Sequence, residues 1–376
     1  MKVLHLISGG DTGGAKTHII ALLKGLNKRI DARVICFIED TFYEDALAEG
    51  VPIQVFQQKS RSDMSVIKRL VDEIKKNQYD IIHCHGARAN LIAMFLSRKV
   101  NKPFITTIHS DFNLDFKDNF YKRIVYTTLN KWALKKFDYY IAISDAFKDM
   151  LVDRGFSHEE IFTVYNGIDM NTPLENINKE DFYNRFGIDS KNKIFVGIIA
   201  RLDKVKDHET FLKAAKEVVD INSSVEFILA GEGNDEKKLK TLVNELGIKN
   251  NVHFVGFLKD QYSFYNSIDI NVLTSISESF PYAVLEGALM KKPVITTNVG
   301  GLSQLVEDDI NGFLIEVGDY KKLANKILYL VENKEKRIIM GENLYQKVKN
   351  NYSSESLAKV HEEIYVQILD NHGGKK

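Results

Sequence analysis

The sequence lacks three features that would place it in a special class of protein. It has two cysteines, Cys36 and Cys84, both in apolar runs, which predicts buried strand thiols rather than a disulfide framework. Its 51 Lys+Arg balance its 51 Asp+Glu, so the formal net charge is zero. A chain without net positive charge has no overall electrostatic attraction for nucleic acid, and no such partner is expected. No apolar run reaches the ~18 residues of a membrane span. The first residues predict a strand rather than a signal peptide, so a cytoplasmic protein is expected.

Short apolar runs alternate with helical stretches through most of the chain. A length of 376 residues exceeds one ordinary core and suggests about two domains. Runs such as "KVLHLIS", "YDIIHCH" and "VEFILA" are apolar at most positions, which predicts strands covered on both faces. The predicted fold class is α/β, with two doubly wound parallel-sheet domains facing a cleft. Ligands of such sheets bind at the carboxyl ends of the strands.

Composition predicts where the two domains meet. The first domain is expected over 1–170 and the second over 193–351. Between them, 171–192 holds few core residues and several turn formers, which predicts a linker. The final stretch, 352–376, has helical apolar spacing and could close either domain; packing against the first is expected.

The stretch "SISESFPYAVLEGALMKKPVITTNVGG" carries two glutamates. Glu278 follows a predicted strand, Pro281 suits the start of a helix, and Glu286 lies in that helix. Helix and loop amides favour a phosphate, and carboxylates accept hydrogen bonds from the hydroxyls of a ribose or hexose. The alternative is two solvated glutamates. The succession of strand, Glu, Ser-Phe-Pro, Glu, helix and Gly-Gly favours a ligand with both phosphates and hydroxyls.

A second candidate pair of residues lies in "VGIIARLDKVKDHETFLKAA". Arg201 ends a predicted buried strand, and Lys206 opens the following helical region. Two cations so placed can converge on one diphosphate. The alternative is two ordinary surface cations.

The N-terminal loop, "SGGDTGGAKTH", lies between a predicted strand and a predicted helix. It nearly matches the ATP-binding phosphate loop G-x-x-x-x-G-K-[ST], since Gly10, Lys16 and Thr17 fit, but Ala15 replaces the second glycine. The ATP-loop interpretation also lacks a strand that ends in a Mg²⁺-binding aspartate. The alternative is a different loop that binds phosphate through the amides at Gly13 and Gly14.

These motifs, together with "VYNGID", resemble those of the retaining glycosyltransferases of family 4, which have the GT-B fold of two Rossmann-like domains. The likeness runs from Gly13 to Gly301. It implies transfer of a hexose, with retention, from a nucleotide-diphosphate sugar such as a UDP-sugar to an acceptor, in bacterial cell-surface glycan synthesis. The first domain would take the acceptor and the second the donor. Neither metal nor other cofactor is implied, because cationic side chains and amides neutralise the leaving diphosphate.

The resemblance also assigns roles to residues. Arg201 and Lys206 would bind the diphosphate, Glu286 the ribose, Glu278 the donor hexose, and the Phe280 amide would hold sugar or phosphate. Further expected donor contacts are Gly13, Gly14, Gly231, Leu258 and Ser279. Two departures from the family pattern stand out: Pro281 removes an amide donor, and Asp207 replaces the usual glycine.

His109 ends the run "TTIH", where the family places a histidine near the transferred sugar. The resemblance makes it catalytic, together with Glu278, Arg201 and Lys206; the alternative is a packed residue at the sheet end. His83 and His85, in "HCHG", lie on one face of a strand, as two metal ligands would. No third ligand is evident, so structural histidines are favoured, with His85 lining the acceptor side.

The segment 119–140 mixes aromatic residues with five lysines and arginines. It predicts either peripheral contact with anionic lipid near a lipid-linked acceptor, or a packed helix with a basic outer face. Two other functions stay open for the whole chain. One is a sugar-nucleotide epimerase on a similar fold, and the other is a catalytically silent protein that binds sugar nucleotides.

Overall fold

The computed structural model describes residues 1–10, 13–60, 63–109, 129–172 and 178–373. Its contacts divide the chain into two compact units. Unit 1 comprises Met1–Asp169 and Ser353–Lys376, and unit 2 comprises Met170–Tyr352.

Unit 1 contains a seven-stranded parallel sheet. Its strands are β1 (Lys2–Ile7), β2 (Asp31–Cys36), β3 (Ile53–Val55), β4 (Ile81–His85), β5 (Phe104–Ile108), β6 (Tyr139–Ala142) and β7 (Ile161–Thr163). Their order is β3-β2-β1-β4-β5-β6-β7, so the order reverses between β1 and β4. Both cysteines are buried free thiols on strands, as predicted.

The strands of this sheet contribute to two separate apolar clusters. The helices of unit 1 therefore pack on both faces of the sheet. Before the last helix of the chain, the helices of unit 1 whose bounds are described are α1 (Gly13–Leu26), α2 (Thr41–Ala48), α3 (Ser65–Asn77), α4 (Gly86–Leu96) and α5 (Asp145–Asp153). On α1, Ile19, Leu22, Leu23 and Leu26 are buried, and Ala15 is partly exposed.

Unit 2 contains a six-stranded parallel sheet. Its strands are β8 (Ile194–Ile199), β9 (Val225–Ala230), β10 (Val252–Gly256), β11 (Ile270–Leu273), β12 (Val294–Thr297) and β13 (Gly312–Ile315). The order β10-β9-β8-β11-β12-β13 reverses between β8 and β11. The helices are α6 (Lys179–Phe186), α7 (His208–Ile221), α8 (Glu236–Glu245), α9 (Gln261–Ser267), α10 (Tyr282–Leu289), α11 (Leu302–Leu305), α12 (Tyr320–Glu332) and α13 (Lys334–Asn351). The α/β prediction of two doubly wound parallel sheets is confirmed.

The last helix, α14 (Ser354–Gly373), belongs to unit 1 and packs against α1. The two helices approach closely at Gly25, where an added Cβ would lie 2.5 Å from the Ser354 carbonyl oxygen. Just after the end of α1, Lys28 pairs with Glu355 and Arg29 with Glu362.

The linker prediction for 171–192 is wrong in its second half, because α6 forms there and packs against α9 of unit 2. Asn178 caps its first turn by accepting from the Glu180 amide, and Gly187 ends it in the left-handed region at φ 65°. Its buried face is aromatic: Tyr183 stacks on Phe195 and donates a hydrogen bond to the Ser267 carbonyl. Two buried aromatic residues among polar neighbours anchor the helix, although the average composition of the segment is that of a linker.

Candidate functional site

The strand reversal of unit 2 brings together the two loops that carry the strongest sequence signals. Arg201 and Lys206 follow β8, and residues 275–280 follow its neighbour β11. In doubly wound sheets, ligands bind at the carboxyl edge where the strand order reverses.

Lys206 and Glu278 form an ion pair at this edge. The Lys206 Nζ lies 2.5 Å from the Glu278 Oε1, and the two side chains are 18% and 9% exposed. The Ser275 hydroxyl donates to the same oxygen at 2.6 Å. A nearly buried pair with a third polar partner holds both charged groups in one geometry, unlike a solvated surface pair.

Hydrogen bonds join the two loops around this pair. The Thr274 hydroxyl contacts the carbonyls of Lys206 and Asp207 at 3.0 and 2.9 Å, and the Ile276 amide donates to Val205. Behind the loop, Gly300 has φ 57°, and a Cβ there would lie 1.8 Å from the Glu278 carbonyl oxygen. The glycine pair at the end of the motif therefore supports the backbone that carries Glu278.

The structure explains why Asp207 can replace the usual glycine. Its backbone is left-handed, at φ 45° and ψ 52°, a conformation that glycine adopts freely and Asp or Asn tolerate best among the other residues. Its carboxylate accepts hydrogen bonds from the amide and hydroxyl of Thr210 and so caps α7. The capping contacts offset the cost of the backbone conformation.

Within the described part of the chain, Arg201 and Lys206 do not share a partner. The Arg201 side chain is 75% exposed and pairs with Asp203 at 3.1 Å, whereas Lys206 pairs with Glu278. The turn between them is fixed by buried His208, whose Nε2 donates to the Arg201 carbonyl at 3.0 Å. The exposed guanidinium is therefore available to a ligand, while the ammonium is already oriented.

Glu286 lies on α10, which begins directly after Pro281. Its carboxylate accepts a hydrogen bond from the Tyr265 hydroxyl at 3.1 Å. Burial raises the pKa of Glu286 to about 7, although hydrogen bonds from Tyr265 and Gln261 act in the opposite direction. Glu286 is thus a carboxyl group whose charge changes close to neutral pH.

The other residues of unit 2 that are expected to contact the sugar donor present mainly backbone groups to a ligand. Gly231, after β9, has φ 131°, and a Cβ there would lie 2.0 Å from the Ala200 carbonyl oxygen, so only glycine fits against the β8 loop. The side chains of Leu258 and Phe280 are buried. Ser279 accepts a hydrogen bond from the Gly301 amide through its carbonyl.

In unit 1, Gly13 and Gly14 begin α1 as expected. Lys16, the residue that fits the lysine of an ATP-binding loop, forms an ion pair with Asp45 of α2. The ammonium is thus held by a neighbouring helix, which disfavours the ATP-loop interpretation.

A cluster of six histidines is the main polar feature inside unit 1. Odd-numbered residues of β1, β4 and β5 lie on one sheet face, where Val3, Ile81 and Ile105 join the apolar cluster that contains α1 and α14. Closer to the carboxyl edge, the same face carries imidazoles, with further rings from the two helices. We call His5, His18, His83, His85, His109 and His361 the histidine cluster.

Hydrogen bonds link the rings of this cluster. The Nδ1 of His5 lies 3.0 Å from the Nε2 of His85, and the Nδ1 of His85 lies 3.4 Å from the Nε2 of His109. His83 lies between the hydroxyls of Thr107 and Tyr365, each 2.7 Å away. The structure therefore links His109 to His85, and through it to His5.

Burial lowers the pKa of every member of the cluster, and neighbouring rings add to the shift for several of them. The pKa falls to about 3 for His5 and to about 4 for both His109 and His361. All six rings are therefore neutral at pH 7.

His5, His83 and His85 are the only group of three or more possible metal ligands that the described residues bring together, with ligand atoms within 4.8 Å. His5 is the third ligand that the sequence alone did not reveal. Both ring nitrogens of His83 and of His85 already have protein partners, however. The cluster is better described as a hydrogen-bonded network than as a preformed metal site.

Sequence reasoning missed His5, His18, His361 and Tyr365 as members of one cluster. The available signal was that "HLIS", "IIHCHG" and "TTIH" each place a histidine near a strand's carboxyl end. Only strand register, which pairs His5 with His83, places these rings side by side.

The segment 119–140 is described only from residue 129, so its first ten residues lie outside the described part. In the remainder, Ala133 and Leu134 are buried, while Trp132 is 60% exposed and Lys131, Lys135 and Lys136 are exposed. Among the described residues, no helix is both long enough and apolar enough to cross a membrane.

Comparison with known proteins places both halves of the chain in glycosyltransferase families. Residues 12–172 match the family model "Glycosyltransferase Family 4", and residues 179–347 match "Glycosyl transferases group 1". An uncharacterised glycosyltransferase of Methanocaldococcus jannaschii is 30% identical over 340 residues, which are 88% of each chain. An Escherichia coli enzyme, UDP-Gal:alpha-D-GlcNAc-diphosphoundecaprenol alpha-1,3-galactosyltransferase, is 24% identical and covers 92% of this chain and 91% of its own.

Solved structures share the fold. The Anabaena protein HepE, crystallised in complex with UDP, superposes with a TM-score of 0.80 at 24% identity, over 98% of this chain and all of its own. A second HepE structure, in complex with UDP-glucose, gives 0.79 over the same share of both chains. The resemblance to family 4 is thus confirmed, and the chain belongs to the family 4, group 1 glycosyltransferases.

Proposed function

We propose that this protein is a retaining, metal-independent hexosyltransferase that uses a UDP-sugar in bacterial cell-surface glycan synthesis. The observation that carries the proposal is the Lys206–Glu278 pair at the strand reversal of unit 2, beside the exposed Arg201. This arrangement offers cations to a diphosphate and a carboxylate to sugar hydroxyls at one sheet edge.

Lys206 is suited to contact both parts of the donor. An ammonium has three N–H donors, so it can hold Glu278 with one and a β-phosphate oxygen with another. Glu278, fixed by Lys206 and Ser275, has a second carboxylate oxygen for hexose hydroxyls. Arg201 would leave Asp203 and contact the diphosphate, and Glu286 would accept hydrogen bonds from the ribose.

In the transfer step, the bond between the anomeric carbon and the diphosphate oxygen breaks, and the acceptor oxygen bonds to that carbon on the same face. The hydroxyl proton of the acceptor passes to an oxygen of the departing diphosphate. Negative charge develops on the departing diphosphate, where Arg201 and Lys206 would stabilise it. His109 would contact the hexose or the acceptor. No metal ion is required in this scheme, because fixed cations and amide dipoles supply the stabilisation.

The choice of donor rests on relatives. The E. coli enzyme is named for UDP-Gal, and the HepE structures hold UDP or UDP-glucose. An N-acetyl-alpha-D-glucosaminyl L-malate synthase of Bacillus anthracis, 26% identical, shows that acceptors differ among similar chains. We therefore propose a UDP-hexose donor and a glycan or lipid-linked acceptor.

A donor panel tests this proposal. Nucleoside diphosphates and their sugars are screened by thermal shift, since a ligand that binds only the folded state raises the melting temperature. Donors that stabilise are then incubated with acceptors, and the anomeric configuration of the product is read by NMR. UDP release with an α-configured product from an α-configured donor, unaffected by EDTA, is the expected result. An interconverted sugar nucleotide would indicate an epimerase, and binding without UDP release would indicate a silent binding protein.

The exposed patch around Trp132 supports peripheral contact with a membrane that carries a lipid-linked acceptor. An exposed tryptophan beside Lys131, Lys135 and Lys136 is typical of a surface that binds anionic headgroups. Because the chain has one tryptophan, its fluorescence reports this contact directly. Vesicles with phosphatidylglycerol should shift the emission to the blue, and phosphatidylcholine vesicles should not. No shift with either would contradict membrane contact at this patch.

A further inference from the structure

We propose that His85 and His5 are positioning residues that hold His109 in one tautomer, with its proton on Nδ1. The inference rests on the proposed function, in which His109 contacts the transferred sugar or the acceptor. The evidence is the hydrogen-bonded chain from His5 through His85 to His109, with distances of 3.0 and 3.4 Å. A neutral imidazole has one N–H and one lone pair, so each link in the chain determines the next.

In two other buried histidines, a backbone carbonyl fixes the position of the proton. In His361, Nδ1 contacts the Leu357 carbonyl at 2.9 Å, and Nε2 has no hydrogen-bond partner among the described residues. In His208, Nε2 contacts the Arg201 carbonyl, and Nδ1 has no partner among those residues. A carbonyl only accepts, so in both rings the proton lies on the bonded nitrogen and the unpartnered nitrogen holds the lone pair.

At the inner end of the chain, the unpartnered nitrogen of His5 sets the direction of donation. His5 is fully buried, and its Nε2 has no hydrogen-bond partner among the described residues. A buried N–H without an acceptor is more costly than a buried lone pair without a donor. The His5 proton therefore lies on Nδ1 and is donated to the Nε2 of His85.

The direction of donation at His5 also determines the tautomer of His109. Since the Nε2 of His85 accepts, the His85 proton lies on Nδ1 and is donated to the Nε2 of His109. His109 is left with its proton on Nδ1. His83 does not oppose this direction, because its partners are the hydroxyls of Thr107 and Tyr365, which either donate or accept.

The fixed tautomer limits what His109 does in the reaction. Its lone pair on Nε2 is occupied by His85, so it does not take a proton from the acceptor. Its Nδ1–H is a hydrogen-bond donor for an oxygen of the hexose or the acceptor. His109 thus acts as a fixed neutral dipole rather than as a general base.

Long-range ¹H–¹⁵N NMR of histidine-labelled protein tests the tautomers without any activity measurement. His5, His85 and His109 should all show the Nδ1–H pattern, whereas the Nε2–H form is the commoner one for solvent-exposed neutral histidine. His361 and His208 are internal controls, expected as Nδ1–H and Nε2–H respectively. A Nε2–H pattern at His5 or His109 would overturn the proposal.

Two substitutions of one residue test the positioning role. His85→Asn retains a side-chain amide near the position of Nδ1 and can still donate to His109. His85→Gln places its amide near the position of Nε2, toward His5, and leaves room beside His109. Asn should keep the His109 tautomer and most of the turnover; Gln should mix the tautomers and lower kcat roughly tenfold with little change in donor KM.

The outcomes separate this inference from the proposed function. If wild-type protein transfers no sugar from any donor but shows the three Nδ1–H patterns, the tautomer assignment stands and the proposed function fails. If transfer occurs and the folded His85→Gln variant mixes tautomers without losing kcat, the positioning role is overturned. Metal-type shifts of the His5 and His85 resonances at one equivalent of Zn²⁺ would also overturn it, since the nitrogens would then be ligands.

Discussion

The two units place polar groups near the carboxyl edges of their sheets by opposite means. Unit 1 buries neutral imidazoles, and the hydrogen-bond partners of His5, His83 and His85 are rings and hydroxyls. Unit 2 uses charge, with the Lys206–Glu278 pair and the carboxyl group of Glu286. Buried imidazoles keep their arrangement only while they stay uncharged. A nearly buried ion pair keeps its arrangement only while both charged side chains are present. The two units should therefore fail under different perturbations.

Acid should have the largest effect, and it should act on unit 1. Each cluster histidine has a lowered pKa in the folded state, so the unfolded chain binds protons first as pH falls below 6.5. For His5, His109 and His361, the contribution to stability is retained above pH 6.5 and lost toward their folded pKa values of about 3 to 4. The loss is about 1.4 kcal/mol per pH unit for each histidine.

Hydrogen exchange of α1 and α14 amides between pH 7 and 5, corrected for intrinsic rates, measures this loss. His5→Phe removes one of these histidines. It should therefore reduce the slope of the unfolding free energy against pH by about 1.4 kcal/mol per pH unit, which corresponds to one proton. A pH-independent stability of these helices would contradict the neutral cluster.

Removing one partner of the unit 2 pair should have the next largest effect. Lys206→Ala removes a fixed cation from the leaving diphosphate and leaves Glu278 without its ion-pair partner, so turnover should fall roughly 10²–10³-fold. The matched control is Lys204→Ala, an exposed lysine in the same turn, which should behave as wild type. Initial rates of UDP release at saturating donor give both values. A folded Lys206→Ala enzyme of normal rate would exclude Lys206 from the diphosphate site.

Glu278 and Glu286 should differ in which ligand loses affinity when each is substituted. Glu286→Gln should weaken UDP itself by roughly 10- to 100-fold, because a hydrogen bond to a charged acceptor contributes ~1.5–3 kcal/mol. Glu278→Gln should weaken the intact donor more than UDP, since only the hexose contacts Glu278, and the effect on UDP is limited to the loss of the partner that orients Lys206. Calorimetry with UDP and with UDP-hexose measures both. The same loss for both ligands in both variants would remove the distinction.

The smallest expected effect is on the stability of unit 2. This stability should fall as pH rises, whereas the stability of unit 1 should fall as pH decreases. The folded pKa of Glu286 is raised from 4.5 to about 7, so the unfolded chain releases its proton first and stability falls as pH rises between these values. Glu286→Gln should therefore stabilise unit 2 at pH 8, by about 1–3 kcal/mol, and have little effect at pH 4. Hydrogen exchange of α10 at both pH values is the measurement. A variant less stable than wild type at pH 8 would mean that the carboxylate is well solvated.

Regular structure was predictable wherever burial dominated. Each quoted apolar run became a strand, because a strand that is covered on both faces is apolar at most of its positions. Helix α6 was missed because its two buried aromatic residues lie among polar ones, although Asn178 and Gly187 are ordinary signals of a helix start and end. Average composition concealed a helix that tertiary packing against α9 stabilises.

The sequence by itself determined the alternation of strands and helices, the glycine positions, and the Glu-x(7)-Glu spacing, because these depend on local conformation and on residues close along the chain. Only the tertiary structure decided which side chains meet. Lys206 and Glu278 are 72 positions apart, and His83 and Tyr365 are 282 apart. Such contacts depend on strand order and register, which place distant residues on one sheet face and which no local pattern specifies.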